Sequence, residues 1–429
     1  MWTRGDTSVA LGSLIQRSLA LLLAVTQVAN SSTSLPPSED PFYVPPSDFE
    51  TFAPGAVLRI RSDPSNITTV VNCSAAYNIL YRSTDAQYQP SWAVTTLLVP
   101  HPNLIPANST ARLLSYQIPY NSPDVDASPS NLLSTLYATA ADPSPVDYVA
   151  EAVGRGWYVS VPDFEGPNAA FFTGPREGHA VLDATRAVLS QSKLANWDSA
   201  RYAMWGYSGG ALASYFAAEL QASYAPELNF AGAAVGGLPS NLTSVIYNFN
   251  NGPGAGIIVS LLLGMTADFP AARTFLASNL KTEGPFNATG FLSCLHYDAV
   301  EWQVAYAGED IFKYFVNGST ILATPEIAYV IGNNALPAYH GLPQMPLFAY
   351  HGINDENCDI EFADAQIQRY CEAYADILYQ RNAVGGHEAE SVAVAPVALE
   401  WLAKWLDGDT EDAIVGCTVE TVTIDSPSA

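Results

Sequence analysis

The chain has 429 residues, a formal net charge of −25 and a pI of about 4.3. This balance argues against nucleic-acid binding, because no basic patch is present to neutralise phosphates, and anionic membrane surfaces should repel the chain. The length would allow two domains, but large α/β enzymes often form one core with insertions.

The first 29 residues have the pattern of a secretory signal peptide. Arginines precede an apolar stretch, 18–25, that is too short to span a membrane, and small or polar residues follow it. We expect cleavage near Ala29, and then a loose leader rich in Ser and Pro over residues 30–50. The protein is therefore predicted to be secreted and extracellular, with no integral membrane segment.

Six N-glycosylation sequons support secretion. Each match alone is frequent by chance, but together with a signal peptide they indicate a glycoprotein. The acceptor asparagines are Asn66, Asn72, Asn108, Asn241, Asn287 and Asn317.

The remaining chain alternates short apolar runs with helical stretches, which predicts a mostly parallel sheet in an α/β fold. We expect core strands at 92–99, 113–116, 157–161, 201–205, 230–235, 346–350 and 377–379.

The core is divided into residues 51–237 and 344–429. Between them, residues 238–343 lose the strand pattern and are expected to form an inserted helical cap. Its apolar run 257–263 could line an acyl pocket, pack as a buried core helix, or do both.

The pentapeptide Gly206-Tyr207-Ser208-Gly209-Gly210 has the spacing of a nucleophile elbow. A predicted strand ends before it and a helix-like run begins after it, which is the context that such an elbow requires. The turn would expose the hydroxyl of Ser208 above a helix N-terminus, where developing negative charge is stabilised. The alternative is a glycine-rich turn without chemistry.

A serine hydrolase of this fold should supply its acid and its histidine later in the chain, in that order. Of the six histidines, His387 follows two glycines in a tight loop, and Asp355 follows an apolar strand. We therefore predict a Ser208, Asp355 and His387 triad, with Glu356 or Asp359 as fallback acids. The competing base is His351, for which we favour a structural role in its turn. His296 and His340 have no obvious context.

Several segments together resemble the fungal secretory lipase family of the α/β-hydrolase superfamily. In chain order, the matching segments are Leu80–Asp85, Ser115–Ser122, Asp163–Gly166, Arg176–Gly178, Gly206–Gly210, His351–Glu356 and Gly385–His387. They fall between Tyr77 and Leu406. The resemblance implies a secreted ester hydrolase with a helical cap, and it implies the same triad.

The resemblance also implies an oxyanion hole. One donor would be the backbone N–H of Gly209, and the other would come from position 121. The family has an aspartate at that position in a Tyr-Asp-Ser motif, whereas this chain has Asn121. A carboxyl group must be protonated to donate a hydrogen bond, but a carboxamide always can. We therefore predict that Asn121 donates to the oxyanion. The alternative is a turn residue.

The chain has five cysteines, so at least one thiol is unpaired if the others form disulfides. The resemblance implies a Cys371–Cys417 disulfide. It also implies a partner for Cys294, but that position is occupied by Ala127. Cys294 is then either free or paired with Cys73 or Cys358, and the sequence does not choose between them.

These observations predict a serine esterase, with triacylglycerol lipase as the preferred activity and an acyl-enzyme as the intermediate. No cofactor and no metal are expected. The expected partner is a lipid or small ester, with a lipid–water interface as a further candidate, and the chain is expected to be a monomer. The alternatives are a carboxylesterase limited to short soluble esters, a serine peptidase on the same fold, and an inactive binding protein.

Overall fold

The computed structural model describes residues 35–107, 109–135, 137–138, 143–296, 305–334, 337–409 and 415–426, without the side chains of residues 294–296. The predicted signal peptide, Asn108 and the side chains of Cys294 and His296 therefore lie outside the described part.

A ten-stranded sheet forms the centre of the molecule, with strand order β1-β2-β3-β5-β4-β6-β7-β8-β9-β10. Its strands are β1 (Val57–Ser62), β2 (Ala75–Thr84), β3 (Pro90–Val99), β4 (Arg112–Gln117), β5 (Tyr158–Pro162), β6 (Arg201–Tyr207), β7 (Gly232–Gly236), β8 (Leu347–Gly352), β9 (Ile377–Asn382) and β10 (Cys417–Val422). Strands β1 to β3 pair in antiparallel fashion and β3 pairs antiparallel with β5, whereas β4 to β10 pair in parallel. The mostly parallel sheet confirms the α/β fold expected from the sequence.

Helices connect and cover these strands. They are α1 (Ile67–Val70), α2 (Pro129–Leu132), α3 (Pro145–Gly154), α4 (Gly174–Leu189), α5 (Gly209–Tyr224), α6 (Leu242–Phe249), α7 (Ile257–Met265), α8 (Pro270–Ser278), α9 (Pro325–Asn334), α10 (Ile360–Glu372), α11 (His387–Ala393) and α12 (Ala395–Asp407). Every residue of β5, β7 and β8 is buried. Continuous apolar runs of this kind are expected where helices cover both faces of a parallel sheet.

The described residues between β7 and β8 contain helices and a single isolated bridge, between Leu280 and Phe315, but no named strand. In α7 all nine residues are buried, so the apolar run is a packed core helix. A Cβ on Gly264 would lie 2.5 Å from the Cβ of Phe171, which shows how closely α7 packs against the core. Just after α7, Asp268 forms a buried ion pair with Arg176 of α4.

Residues 35–50 pack against the core, so the prediction of a loose leader is wrong for this part. The indole Nε1 of Trp92 donates to the carbonyl of Tyr43 at 3.0 Å, and Arg61 pairs with Asp40 at 2.6 Å. Ser38 donates to the carboxylate of Asp126 at 2.7 Å. The serine and proline content suggested flexibility, but these long-range contacts, which composition does not reveal, hold the segment in place.

A disulfide joins Cys371, near the end of α10, to Cys417 at the start of β10. The final strand β10 pairs in parallel with β9 along its whole length. No strand was expected from the sequence of this segment. Cys73 and Cys358 are both free and buried, and the side chain of Cys294, their expected partner, lies outside the described residues.

Four of the six sequon asparagines, Asn66, Asn72, Asn287 and Asn317, are exposed. Asn241 is half-buried and caps α6 by accepting a hydrogen bond from the backbone N–H of Ser244.

No helix in the described ranges is long and apolar enough to cross a membrane.

Candidate active site

Ser208 occupies the sharp turn between β6 and α5. Its backbone has φ 54° and ψ −121°, a conformation that a residue with a side chain rarely adopts. The flanking glycines are required by close packing. A Cβ on Gly206 would lie 2.1 Å from the carbonyl oxygen of Gly210, and one on Gly210 would lie 2.0 Å from that of Gln117. The pentapeptide therefore has the geometry of a nucleophile elbow.

The three residues of the predicted triad lie together, although 179 residues separate Ser208 from His387. The Nε2 atom of His387 is 2.9 Å from Oγ of Ser208, and its Nδ1 atom is 2.7 Å from Oδ2 of Asp355. Both distances are within hydrogen-bonding range. With Nδ1 donating to the carboxylate, Nε2 carries a lone pair that can accept the serine proton.

The carboxylate of Asp355 is held by its own loop. Its Oδ1 atom accepts hydrogen bonds from the backbone N–H groups of Asn357, at 2.9 Å, and Cys358, at 2.7 Å. The fallback acids point elsewhere. Asp359 accepts a hydrogen bond from the hydroxyl of Ser244, and Glu356 accepts one from the backbone N–H of His387. Only Asp355, of the three candidates, reaches the imidazole ring.

His351 is buried and has a structural role, as the sequence analysis favoured. Its Nδ1 atom accepts from the backbone N–H of Leu238 at 3.0 Å, and its Nε2 donates to the carbonyl of Cys358 at 2.7 Å. Both ring nitrogens are therefore bonded, and His351 joins the segment after β7 to the loop that carries Asp355. His340 lies away from this site, with its ring against Phe216.

The pKa of His387 is raised above its ordinary value of 6.5. Burial lowers the pKa, but the hydrogen bond and negative charge of Asp355, with smaller effects from Glu388 and Glu356, outweigh it. In Asp355 burial raises the pKa, and the contact with His387 more than offsets this, so that the pKa is lowered. The pair thus favours an ionised carboxylate next to an imidazole that can accept a proton.

We expect the acid limb of the pH profile of kcat/KM to lie above pH 6.5. A general base must be neutral in the free enzyme, so activity falls as the pH decreases through the raised pKa of His387. Replacing the exposed Glu388 with Gln removes a charge that raises this pKa and should move the acid limb to lower pH while keeping the plateau. A profile measured with p-nitrophenyl butyrate tests this, and an acid limb that stays in place in Glu388→Gln would contradict it.

Two side chains that the sequence analysis did not assign to this role hold the backbone of His387. The hydroxyl of Tyr207 donates to the carbonyl of His387 at 2.6 Å, and Oε2 of Glu356 accepts from its N–H at 2.9 Å. The sequence identifies Tyr207 only as a residue of the elbow, and Glu356 only as a fallback acid. In the sequence Tyr207 is next to Ser208 and Glu356 is next to Asp355. Their shared partner, His387, is distant in the sequence, so these contacts could not be predicted.

Tyr207→Phe should reduce kcat about fivefold with a smaller effect on KM, because it removes a hydrogen bond worth about 1 kcal/mol that fixes the histidine. The ring remains, so packing against Gly237 and His387 is retained. Steady-state kinetics of this variant and of Tyr202→Phe, which alters a tyrosine on the same strand away from the site, provide the comparison. Equal kcat values for the two variants would show that Tyr207 does not position His387.

The predicted oxyanion donors lie next to each other. Gly209 is the first residue of α5, where backbone N–H groups have no partner within the helix. Asn121 has a positive φ of 51°, and a Cβ on Gly209 would lie 2.2 Å from its Oδ1 atom. Glycine at 209 therefore allows the carboxamide to approach the backbone that follows the nucleophile. Oδ1 is buried and has no hydrogen-bond partner among the described residues.

Comparisons with known proteins agree with this architecture. The model of the secretory lipase family matches residues 135–413. The chain is 43% identical to a trichothecene C-3 esterase of Fusarium sporotrichioides, with 96% of this chain and 94% of that protein covered. It is 37% identical to lipase A of Arthroderma benhamiae, covering 90% and 83%. A crystal structure of Candida antarctica lipase A in its closed state matches with a TM-score of 0.80 at 28% identity, covering 93% of each chain.

Proposed function

We propose that this chain, which belongs to the secretory lipase family and is an ester hydrolase, uses Ser208, His387 and Asp355 as its catalytic triad. The observation that carries the proposal is the continuous chain of hydrogen bonds from Oγ of Ser208 through His387 to Asp355. We further propose that the enzyme is secreted to the extracellular space, consistent with the family and with the predicted signal peptide.

In the proposed mechanism, Oγ of Ser208 attacks the ester carbonyl carbon while Nε2 of His387 takes the serine proton. The negative charge that develops on the carbonyl oxygen is stabilised by the N–H of Gly209 and the carboxamide of Asn121. His387 then protonates the leaving alcohol, which departs and leaves the acyl group on Ser208. Water, deprotonated by His387, attacks the acyl-enzyme, and the proton returns to Ser208 as the acid is released.

For the substrate we propose triacylglycerols as the first candidate. The support is the similarity to lipases over most of the chain. A second candidate, a trichothecene ester at C-3, is favoured by the higher identity to the esterase of Fusarium sporotrichioides. Both reactions would use the same triad and differ in the shape of the acyl and alcohol sites.

The test is a panel of substrates given to the secreted protein: p-nitrophenyl butyrate, p-nitrophenyl palmitate, an emulsified triacylglycerol, a C-3 trichothecene ester and a peptide. Ser208→Ala is the control for each. Hydrolysis of the emulsion and the palmitate ester that is lost in Ser208→Ala supports the lipase. Preference for the trichothecene ester over the emulsion supports the second candidate. Activity on the peptide alone, or none that depends on Ser208, would contradict both.

A further inference from the structure

A free thiol lies beside the proposed acid and base. Cys358 is 3% exposed and is not in a disulfide, and its sulfur lies close to Asp355 and His387. The ligand-type atoms of these three side chains are all within 4.8 Å of one another. The thiolate, imidazole nitrogen and carboxylate oxygen are the ligand types that Zn²⁺ prefers. From the sequence no metal site is expected, and Cys358 is only a possible disulfide partner of Cys294.

The surroundings favour a cation. Burial and then the negative charges of Asp355, Asp359 and Glu356 raise the pKa of the Cys358 thiol. The negative charges of Asp355, Glu388 and Glu356 likewise favour a positive charge at His387. The chain as a whole carries a net charge of −25. A field of this sign raises the local concentration of cations and opposes anionic ligands. The electrostatics and the ligand types therefore point to the same class of ligand.

We propose that Cys358, Asp355 and His387 form an inhibitory site for a soft or borderline divalent cation such as Zn²⁺ or Cd²⁺. Ligands of tetrahedral Zn²⁺ are about 3.3 to 3.8 Å apart, given metal–ligand distances near 2.0 to 2.3 Å. Shifts of about 1 Å in the side-chain positions would bring the three atoms to this spacing. Water would be the fourth ligand. Cadmium binds the same set and prefers thiolate.

Binding requires a rearrangement of protons. The thiol of Cys358 loses its proton to solvent and binds as thiolate, and the carboxylate of Asp355 binds without change of charge. Neutral His387 must present a lone pair at Nδ1, so its proton moves from Nδ1 to Nε2 by exchange with solvent. One proton is released for each metal ion bound, and no oxidation or reduction takes place.

This rearrangement is the cause of the inhibition that we expect. With its proton on Nε2, His387 donates toward Oγ of Ser208 and can no longer accept the proton of the attacking hydroxyl. Asp355 is meanwhile occupied by the metal and no longer orients the imidazole. The inhibitory effect rests on the proposed catalytic triad, whereas the binding of the metal does not.

Titration of Cd²⁺ into the whole secreted protein tests both parts. Hydrolysis of p-nitrophenyl butyrate and the ultraviolet absorption of the cadmium–thiolate bond are recorded in the same samples, before and after removal of metal with EDTA. We expect inhibition that EDTA reverses and a thiolate band that grows in parallel. In Cys358→Val, inhibition relative to that variant's own metal-free activity should require at least about tenfold more Cd²⁺.

The controls separate the possible failures. Cys73→Val removes the other free buried thiol and should keep the inhibition of the wild type. Ser208→Ala keeps all three ligands and should show the same thiolate band without activity, so binding is measured even if the triad assignment fails. Cys358→Ser serves as a second variant if the valine variant does not fold. Equal Cd²⁺ sensitivity in the wild type and the Cys358 variants, or a thiolate band unchanged in them, overturns the proposal.

Discussion

Ser208→Ala should reduce kcat by a factor on the order of 10⁶, and Asp355→Asn by a smaller factor on the order of 10⁴. Removal of the nucleophile abolishes the acyl-enzyme route, and the residual rate comes from the oxyanion donors and substrate binding alone. Asparagine at 355 retains the size of the side chain, but it removes the charge that stabilises the imidazolium and permits the wrong histidine tautomer. Steady-state hydrolysis of p-nitrophenyl butyrate measures both losses.

Asp359→Asn is the matched control for the acid. It neutralises a carboxylate on the same loop, four residues after Asp355, whose contact is with Ser244 and not with His387. Its kcat should stay within about threefold of the wild type, since exposed or half-exposed charges have small effects at a distance. If Asp359→Asn lost as much activity as Asp355→Asn, the assignment of the acid would be wrong.

The elbow and the grouping of Ser208, Asp355 and His387 could be predicted from the sequence, because each part is encoded locally. Gly206 and Gly210 mark the turn, and the glycines before His387 mark its loop. The chain order of nucleophile, acid and base then restricts the choice of partners. The strand positions followed from apolar runs, although β7 begins at Gly232, two residues later than expected.

The contacts that the sequence did not reveal join segments that are distant along the chain. Tyr207 reaches the carbonyl of His387 across 180 residues, and Tyr43 accepts from Trp92 in a segment whose composition suggested flexibility. Strand β10 has an exposed, polar sequence without the apolar run that marks a buried strand, because it pairs at the edge of the sheet. The proximity of Cys358 to His387 likewise depends on how two loops meet.

Asn121 gives the second large expected effect. Asn121→Ala should lower kcat by a factor of about 10² to 10³, which is typical for the loss of one oxyanion donor. The loss should be the same at every pH, because alanine does not titrate. Failure of Asn121→Ala to reduce kcat would show that the carboxamide does not contact the transition state.

Asn121→Asp separates donation by the side chain from simple packing, since its carboxyl group donates a hydrogen bond only when protonated. As the pH rises through the pKa of this carboxyl group, the donor becomes a carboxylate that repels the oxyanion, and the loss should grow. The ratio of kcat/KM for Asn121→Asp to that of the wild type removes the common effect of His387 titration. We expect this ratio to fall with increasing pH, from near the wild-type value toward or below the level of Asn121→Ala. A ratio independent of pH would mean that position 121 shapes the turn without donating to the oxyanion.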